Sequence, residues 1–432
     1  MSAALDYHRT TNVPAEGTDE DEERTLETRP RPFKEYGNAA RAPLETSVAG
    51  RVLDDGAGVI RSRGGYHFRG YSSAGALYPV EAYVVAPEGL YSFDALDHSL
   101  VPVRAGDLRP ALAAAAAAEE PARAGAIVVL TGIHARTGWK YMERGYRHVW
   151  WDAGTMLANL LSLAAADDLA PRLYVAFVDA AVNDALGVDG TRETALALLA
   201  LGPNVEELPP RDFPDDTLLP AEAGARYALA ERLHEASALA DGAAVRAWRH
   251  APQGAEPKRS RDDLVRAIRR RGSVREYASG PLPREAFADV LAWAEAAIPA
   301  DAPPVVRQLV TVAAVEGLAP GIYDARLGLV RELGEAELRE RVGYAAMDQD
   351  HPRLAAANVF QLANIEEVVD RLGERGYRWA QLEAGIRAGR LQIGAFMEGW
   401  GAAASTFFDD EVSHLLETDE SPLLMVAIGP RS

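Results

Sequence analysis

Two hydrophobic patterns alternate along the chain. Apolar runs of strand length occupy Glu81–Val85, Gly89–Phe93 and Leu196–Leu201, and again Leu309–Val315, Gly317–Tyr323 and Leu423–Ile428. Between them lie longer stretches with helical spacing, clearest at Leu157, Leu160, Leu161 and Leu163, which fall on one helix face. Strands mixed with long helices, without strict strand–helix alternation, predict an α+β fold. After the first set of strands, Pro203–Pro220 is too rich in proline for a helix or a central strand. A helix is expected over Ala221–Arg249, then a polar loop over His250–Lys258. The acidic stretch Ala15–Thr28 reads as solvated and flexible.

The two sets of elements are a repeat. Glu143-Arg-Gly-Tyr-Arg147 with Ala153-Gly154 returns as Glu374-Arg-Gly-Tyr-Arg378 with Ala384-Gly385, seven identities in the twelve positions 143–154 at an offset of 231. Phe177, Asp179, Val182, Leu186 and Asp189 return as Phe407, Asp409, Val412, Leu416 and Asp419, an offset of 230. Glu88-Gly-Leu90 is matched to Glu316-Gly-Leu318, an offset of 228. A period this long means two tandem domains rather than a solenoid. The expected organisation is an N-terminal segment (1–30), a first half (31–202), a linker with a helix (203–258) and a second half (259–432).

Composition narrows the chemistry. The chain has 432 residues and no cysteine, so disulfides, thiolate metal sites and a cysteine nucleophile are excluded. The formal charge of −19 disfavours nucleic acid and anionic membranes as partners. No apolar run reaches the roughly 20 residues of a membrane helix, and the polar Met1–Thr11 is not a signal peptide; a cytoplasmic location is expected. The nine histidines form no cluster at metal-ligand spacing, so no metal is expected. No Gly-x-Gly-x-x-Gly or phosphate-loop sequence occurs.

Two segments could hold an anionic, flat ligand. Arg271-Gly-Ser273-Val-Arg275 follows a helical Leu264–Ile268; it is either a phosphate clamp of two guanidiniums around a hydroxyl or a solvated helix end. Ser72-Ser73-Ala74-Gly75-Ala76-Leu77-Tyr78-Pro79 is either a loop whose small residues let backbone approach a ring, or an ordinary turn before a strand.

Together these segments resemble the nitroreductase-like flavoproteins, specifically the SagB-type family that includes azoline dehydrogenases of peptide natural-product pathways. The Arg-x-Ser-x-Arg motif stands as Arg271, Ser273 and Arg275, and the Ser-Ala-Gly-Ala-Leu-Tyr-Pro string as Ser73–Pro79, with Ser72 in place of the family's proline. Lys140-Tyr141 and Arg144–Arg147 match a further family segment, as do Tyr7–Thr11 and Pro32–Tyr36. The resemblance implies an α+β fold of two tandem nitroreductase-like halves, each an antiparallel sheet flanked by helices, paired as an intramolecular pseudo-dimer.

It also implies FMN as cofactor, with Arg271, Ser273 and Arg275 on the phosphate, Ser72, Ser73, Ala74 and Gly75 beside the ring, and Arg431 as a further phosphate contact. The motifs are divided unevenly between the copies, since the counterpart of the loop, around Pro299–Val306, is proline-rich and unlike it. One intact FMN site per chain is therefore expected. Lys140 and Tyr141 match a pair implicated in catalysis by azoline dehydrogenases, and their counterparts Arg371 and Leu372 supply no base. The tryptophans Trp139, Trp150 and Trp151 and the twin Gly-Tyr-Arg segments are expected in the core. The implied activity is dehydrogenation of a small heterocycle or a heterocycle-bearing, modified peptide, with a biosynthetic partner enzyme conceivable. Alternatives are a nicotinamide-dependent nitro or quinone reductase and a non-catalytic flavin-binding scaffold subunit.

Overall fold

A computed structural model describes residues 2–15, 28–36, 40–44, 47–203, 213, 221–222 and 224–431. Most of the acidic Ala15–Thr28 stretch and of Pro203–Pro220 lies outside these residues. The chain divides into two units. The first comprises Arg24–Arg261 with Ala297–Pro304; the second comprises Met1–Glu23, Asp262–Ala296 and Val305–Ser432.

The first unit carries β1 (Ala42–Pro43), β2 (Val59–Arg63), β3 (Tyr66–Arg69), β4 (Val80–Ala86), β5 (Gly89–Asp94), β6 (Ser99–Ala105), β7 (Ala126–Gly132), β8 (Arg172–Tyr174) and β9 (Thr194–Leu201). Its main sheet runs β1-β6-β5-β4-β7-β9-β8, and β2-β3 form a separate hairpin. The second unit carries β10 (Arg307–Val312), β11 (Gly321–Asp324), β12 (Leu329–Glu332), β13 (Ala357–Ala363), β14 (Gly401–Ser405) and β15 (Ser421–Gly429). Its sheet runs β12-β11-β10-β13-β15-β14, the order of the first from β6 to β8. Both sheets are antiparallel throughout their named pairings. The α+β expectation of two tandem halves holds.

Each sheet buries one face in an aliphatic core, around Tyr83, Val129 and Leu198 in the first unit and around Leu309, Phe360 and Met425 in the second. The other main element of each half is a long helix. Residues Gly145–Ala164 of the Gly145–Ala166 helix are buried on every side, as a helix without a polar face must be. Its equivalent, Ile365–Met397, is interrupted at Gly373 (φ 64°, ψ −169°). At the offset of 231, Met142 (φ 49°, ψ −135°) makes the same break ahead of Glu143. The twin Gly-Tyr-Arg segments open the buried run in each half, with Arg147 and Arg378 both buried.

Sheet register corrects one sequence match. Val84 and Val85 pair with Tyr91 and Leu90, and Val310 and Thr311 pair with Tyr323 and Ile322. The counterpart of Gly89-Leu-Tyr91 is therefore Gly321-Ile-Tyr323, not Gly317-Leu318, which precede the strand. Gly317 sits in a turn at φ 68°.

The expected helix Ala221–Arg249 is two helices, Ala228–Ala236 and Gly242–Trp248. Asp241 separates them by capping the second through the amides of Ala243 and Ala244. The Ala228–Ala236 helix is more than linker. The amides of Leu229 and Ala230 donate to Glu143, at 3.2 and 3.0 Å. In the second unit the amides of Ala3 and Ala4 donate to Glu374, at 3.0 and 2.6 Å. Further on, Tyr146 Oη lies 3.1 Å from His234 Nδ1, and Tyr377 Oη 3.3 Å from His8 Nδ1. The amide of Leu239 donates to Asp179, and that of Val13 to Asp409. All three pairs share an offset of 226, so Ala228–Ala236 is the second copy's version of the chain's first helix, Ala3–Thr10. Each copy's opening helix packs in the unit built mainly from the other copy.

Candidate functional site

In the first unit, the loop Ser72–Pro79 is held from below by one buried acid. Ser73 Oγ donates to Asp152 Oδ2 at 2.5 Å and accepts the Tyr78 amide at 2.9 Å. The Ala74 amide donates to Asp152 Oδ1 at 3.2 Å, and Thr155 Oγ1 donates to the Ser72 carbonyl at 2.7 Å. Burial pushes the Asp152 carboxyl up from 3.8 to about 8, against the lowering effect of the Ser73 and Ala74 hydrogen bonds. The loop then turns through three positive φ values, Gly75 (62°), Ala76 (52°) and Tyr78 (44°). Arg29 donates to the carbonyls of Gly75 and Ala76, at 3.2 and 2.7 Å. Gly75 remains exposed at the crest.

Tyr141 stands beside that crest, and Lys140 precedes it in the chain. They end the helix His134–Tyr141, which the break at Met142 stops. A Cβ added at Gly75 would lie 3.3 Å from Tyr141 Oη. The Tyr141 ring stacks on His148, with centroids 4.0 Å apart and planes at 24°, and His148 meets the edge of Trp151 at 4.7 Å. His148 is buried, and its Nε2 has no hydrogen-bond partner among the described residues. Burial, and then the charges of Arg144, Arg147 and Lys140, hold its imidazole well below the usual pKa, so it is neutral. Lys140 is exposed, with Nζ 5.4 Å from the Tyr141 ring. Trp150 and Trp151 are core residues; Trp139 is half-buried and donates to Thr28.

The arginine segment lies in the second unit. The helix Arg261–Arg270, which includes the expected Leu264–Ile268, stops at Arg271. The chain then runs beside β14, where Ser273 pairs in parallel with Ala402, and on to Tyr277, which pairs with Arg431. Arg271 is buried, whereas Ser273 and Arg275 are exposed. Arg275 Nη1 reaches Gln349 Oε1 at 3.2 Å and His351 Nε2 at 3.0 Å. Burial, with the Arg275 charge, pushes His351 down to about 4, so it is a neutral partner. Among the described residues no carboxylate pairs with Arg275, whose charge is therefore open to an anion. The Arg431 guanidinium lies 5.7 Å from the centroid of the Phe396 ring. Thus Ser72, Ser73, Ala74, Gly75, Lys140 and Tyr141 gather in the first unit, and Arg271, Ser273, Arg275 and Arg431 in the second.

The copies differ where the chemistry would lie. Glu383, at the offset of 231 from Asp152, accepts the amides of Val305 and Val306, at 2.8 and 3.2 Å. It is also paired with Arg387 at 2.8 Å, a position that is Met156 in the first copy. The counterpart of Lys140, Arg371, is bound to Glu367 at 3.0 Å. Asp152, His148 and Arg29 escaped the sequence reading. Only Asp152 left a trace there, as an acid matched by an acid at the repeat offset. Among the described residues no group of three or more His, Asp or Glu could hold a metal ion, and no helix is long and apolar enough to cross a membrane.

A duplicated antiparallel α+β half carrying a small-residue loop in one copy and an arginine segment in the other defines a two-domain oxidoreductase fold. The chain belongs to the nitroreductase family, whose pattern matches residues 41–203 and 268–430. Proteins of this family generally bind a flavin. A nitroreductase of Methanocaldococcus jannaschii is 30% identical over 173 residues, 37% of this chain and 87% of that one. The crystal structure of a nitroreductase from Anabaena variabilis is similar over 100% of both chains, with a TM-score of 0.83 and 24% identity; it shows the fold of the whole chain. A chain of the E. coli microcin synthetase complex aligns over 46% of this chain and 90% of its own, with a TM-score of 0.33 and 19% identity.

Proposed function

We propose that this protein is an FMN-dependent oxidoreductase of the SagB-like type, dehydrogenating a small heterocycle or a heterocycle-bearing peptide. The observation that carries the reading is the meeting of Tyr141 with the exposed crest of the Ser72–Pro79 loop, with Lys140 against the Tyr141 ring. Each donor set, taken by itself, suits a part of an FMN. Arg275, without a carboxylate partner among the described residues, together with Ser273 and Arg271 suits a phosphate, with Arg431 as a further cation. Ser72, Ser73, Ala74 and Gly75 present backbone without bulk, as the flank of a flat ring requires.

Bound FMN would supply hydride acceptance. The chain's own part is to position the substrate and to receive the proton that leaves with the hydride. This reading assigns that transfer to Tyr141 and Lys140, the latter as its neutral amine. Neutral His148, stacked beneath Tyr141, fixes the phenol's plane without adding charge. The oxidant that reopens the cycle would be dioxygen or another acceptor.

A second reading, hydride passing from a nicotinamide to a nitro compound or quinone, is favoured by the name of the Methanocaldococcus jannaschii relative. Either reading requires the flavin. The test is the visible spectrum of the purified protein, with released flavin identified and counted. A single FMN per chain, lost when Arg271 and Arg275 are both changed to Ala in a protein that still folds, supports the assignment. Absence of flavin after incubation with excess FMN overturns it.

A further inference from the structure

We propose that the hollow between the β2-β3 hairpin and the Arg29–Glu35 segment is a substrate subsite that reads a carboxylate attached to a flat aromatic or heteroaromatic ring. Its orientation towards the reaction rests on the functional reading above; the recognition of the acid does not. The hollow has a volume of about 370 Å³ and is lined by Arg29, Phe33, Glu35, Tyr66, His67 and Ala76, among others, all in the first unit; the Glu35 carboxylate is paired with Arg31 at 2.7 Å.

Charge and shape both point to this ligand. The chain carries a net charge of −19, yet Arg29, Arg61 and Arg63, around this hairpin, have no carboxylate partner among the described residues. Arg61 and Arg63 lie across from Phe68 and Tyr66 in the hairpin register, so all four side chains share one face. Tyr66 and Phe68 are near-parallel, with planes at 19°. Arg29 lies 4.4 Å over the Tyr66 ring and Arg61 5.1 Å over the Phe68 ring. Of these groups Arg29 and Tyr66 line the hollow, so a flat anion seated there would meet a guanidinium and a ring side by side, with Arg61 and Phe68 continuing the stack beyond it.

Arg29 connects this surface to the redox loop. Its Nη2 donates to the carbonyls of Gly75 and Ala76, which aims the rest of the guanidinium fork away from the loop. A carboxylate held by that fork would lie one guanidinium away from the Gly75 and Ala76 carbonyls. The β2-β3 hairpin has no counterpart among the described strands of the second unit, so the subsite belongs to the half that holds Lys140 and Tyr141.

The test is calorimetric titration of the full chain with thiazole-4-carboxylate and with its methyl ester, at low ionic strength, with and without FMN. The acid is expected to bind about tenfold tighter than the ester, as a charge-assisted hydrogen bond would give, and added salt should narrow the gap. Arg29→Gln should bring the acid to the level of the ester, and Arg29→Lys should restore part of the difference; thermal melting identifies a variant that fails to fold. Equal binding of acid and ester, or an acid preference untouched by Arg29→Gln in a folded protein, overturns the proposal. An acid preference in protein that never takes up FMN would sustain the subsite while overturning the flavin reading.

Discussion

Glu143 and Glu374, 231 residues apart, each use both carboxylate oxygens to hold the first amides of a helix that lies elsewhere in the sequence. An anion at that position satisfies amides that have no partner within the helix and meets the positive end of its dipole. Glu374→Ala should therefore fray Ala3–Thr10, and Glu143→Ala should fray Ala228–Ala236, each at a cost of about 1–2 kcal/mol. Hydrogen exchange resolved by segment is the measurement. Protection unchanged in the matching helix would remove the capping role.

Met142 and Gly373 take up the same positive-φ break, but only one of them is glycine. At φ 49° and ψ −135° a side-chain-bearing residue is strained, by about 1–3 kcal/mol. Met142 is 50% exposed, so little packing is lost on its removal. Met142→Gly is expected to stabilise the protein by about 1 kcal/mol, while Gly373→Ala should destabilise it by a similar amount or more. Chemical denaturation of the two variants checks this; a Met142→Gly protein less stable than its parent would show the break to be unstrained.

The sequence disclosed the repeat through residues whose side chains are fixed by burial. Tyr146 and Tyr377, Arg147 and Arg378, and Asp179 and Asp409 sit in matching surroundings and kept their identity. The opening helices escaped because their equivalence rests on backbone amides meeting Glu143 and Glu374, and amides leave no mark on residue type. Between Ala3–Val13 and Leu229–Leu239 only Ala4 and His8 find identical partners, Ala230 and His234. The false match of Gly89-Leu90 to Gly317-Leu318 arose because Gly-Leu also suits a turn. Asp152 stands in a helix legible mainly from its leucines, and beyond its match to Glu383 its role shows only when its partners Ser73 and Ala74 are brought beside it.

Asp152 predicts a pH dependence of stability. Its folded pKa, about 8, lies above its ordinary 3.8, so between those values the native protein holds a proton that the unfolded chain has released. Stability must then fall as pH rises through that window, and level off above it. At about 1.4 kcal/mol per pKa unit the upper bound of the effect is ~6 kcal/mol. Asp152→Asn keeps the hydrogen-bonding shape without the titration, so it should gain on the parent steadily from about pH 5 to about pH 8. Parallel stability profiles for parent and variant would show that the carboxyl is already ionised in the folded state.

Lys140 separates the two redox readings. A dehydrogenase must dispose of a proton from carbon as the hydride departs, whereas reduction of a nitro compound or quinone by a nicotinamide needs no protein base at the donor. Lys140 is exposed and ends its helix, so Lys140→Ala should leave stability within about 0.5 kcal/mol of the parent and flavin content unchanged. Azoline oxidation should then fall by about 10²–10⁴-fold, the usual contribution of a positioned base. Nitro or quinone reduction by the same preparation should stay within about twofold, since that route asks nothing of Lys140. Tyr141→Phe tests the neighbouring role, because it keeps the ring stacked on His148 and removes only the hydroxyl beside Gly75. A loss of azoline oxidation in Lys140→Ala that Tyr141→Phe does not share would assign the proton to the amine alone. Full azoline oxidation by the double variant would remove both residues from the chemistry and leave the reductase reading in possession of the site.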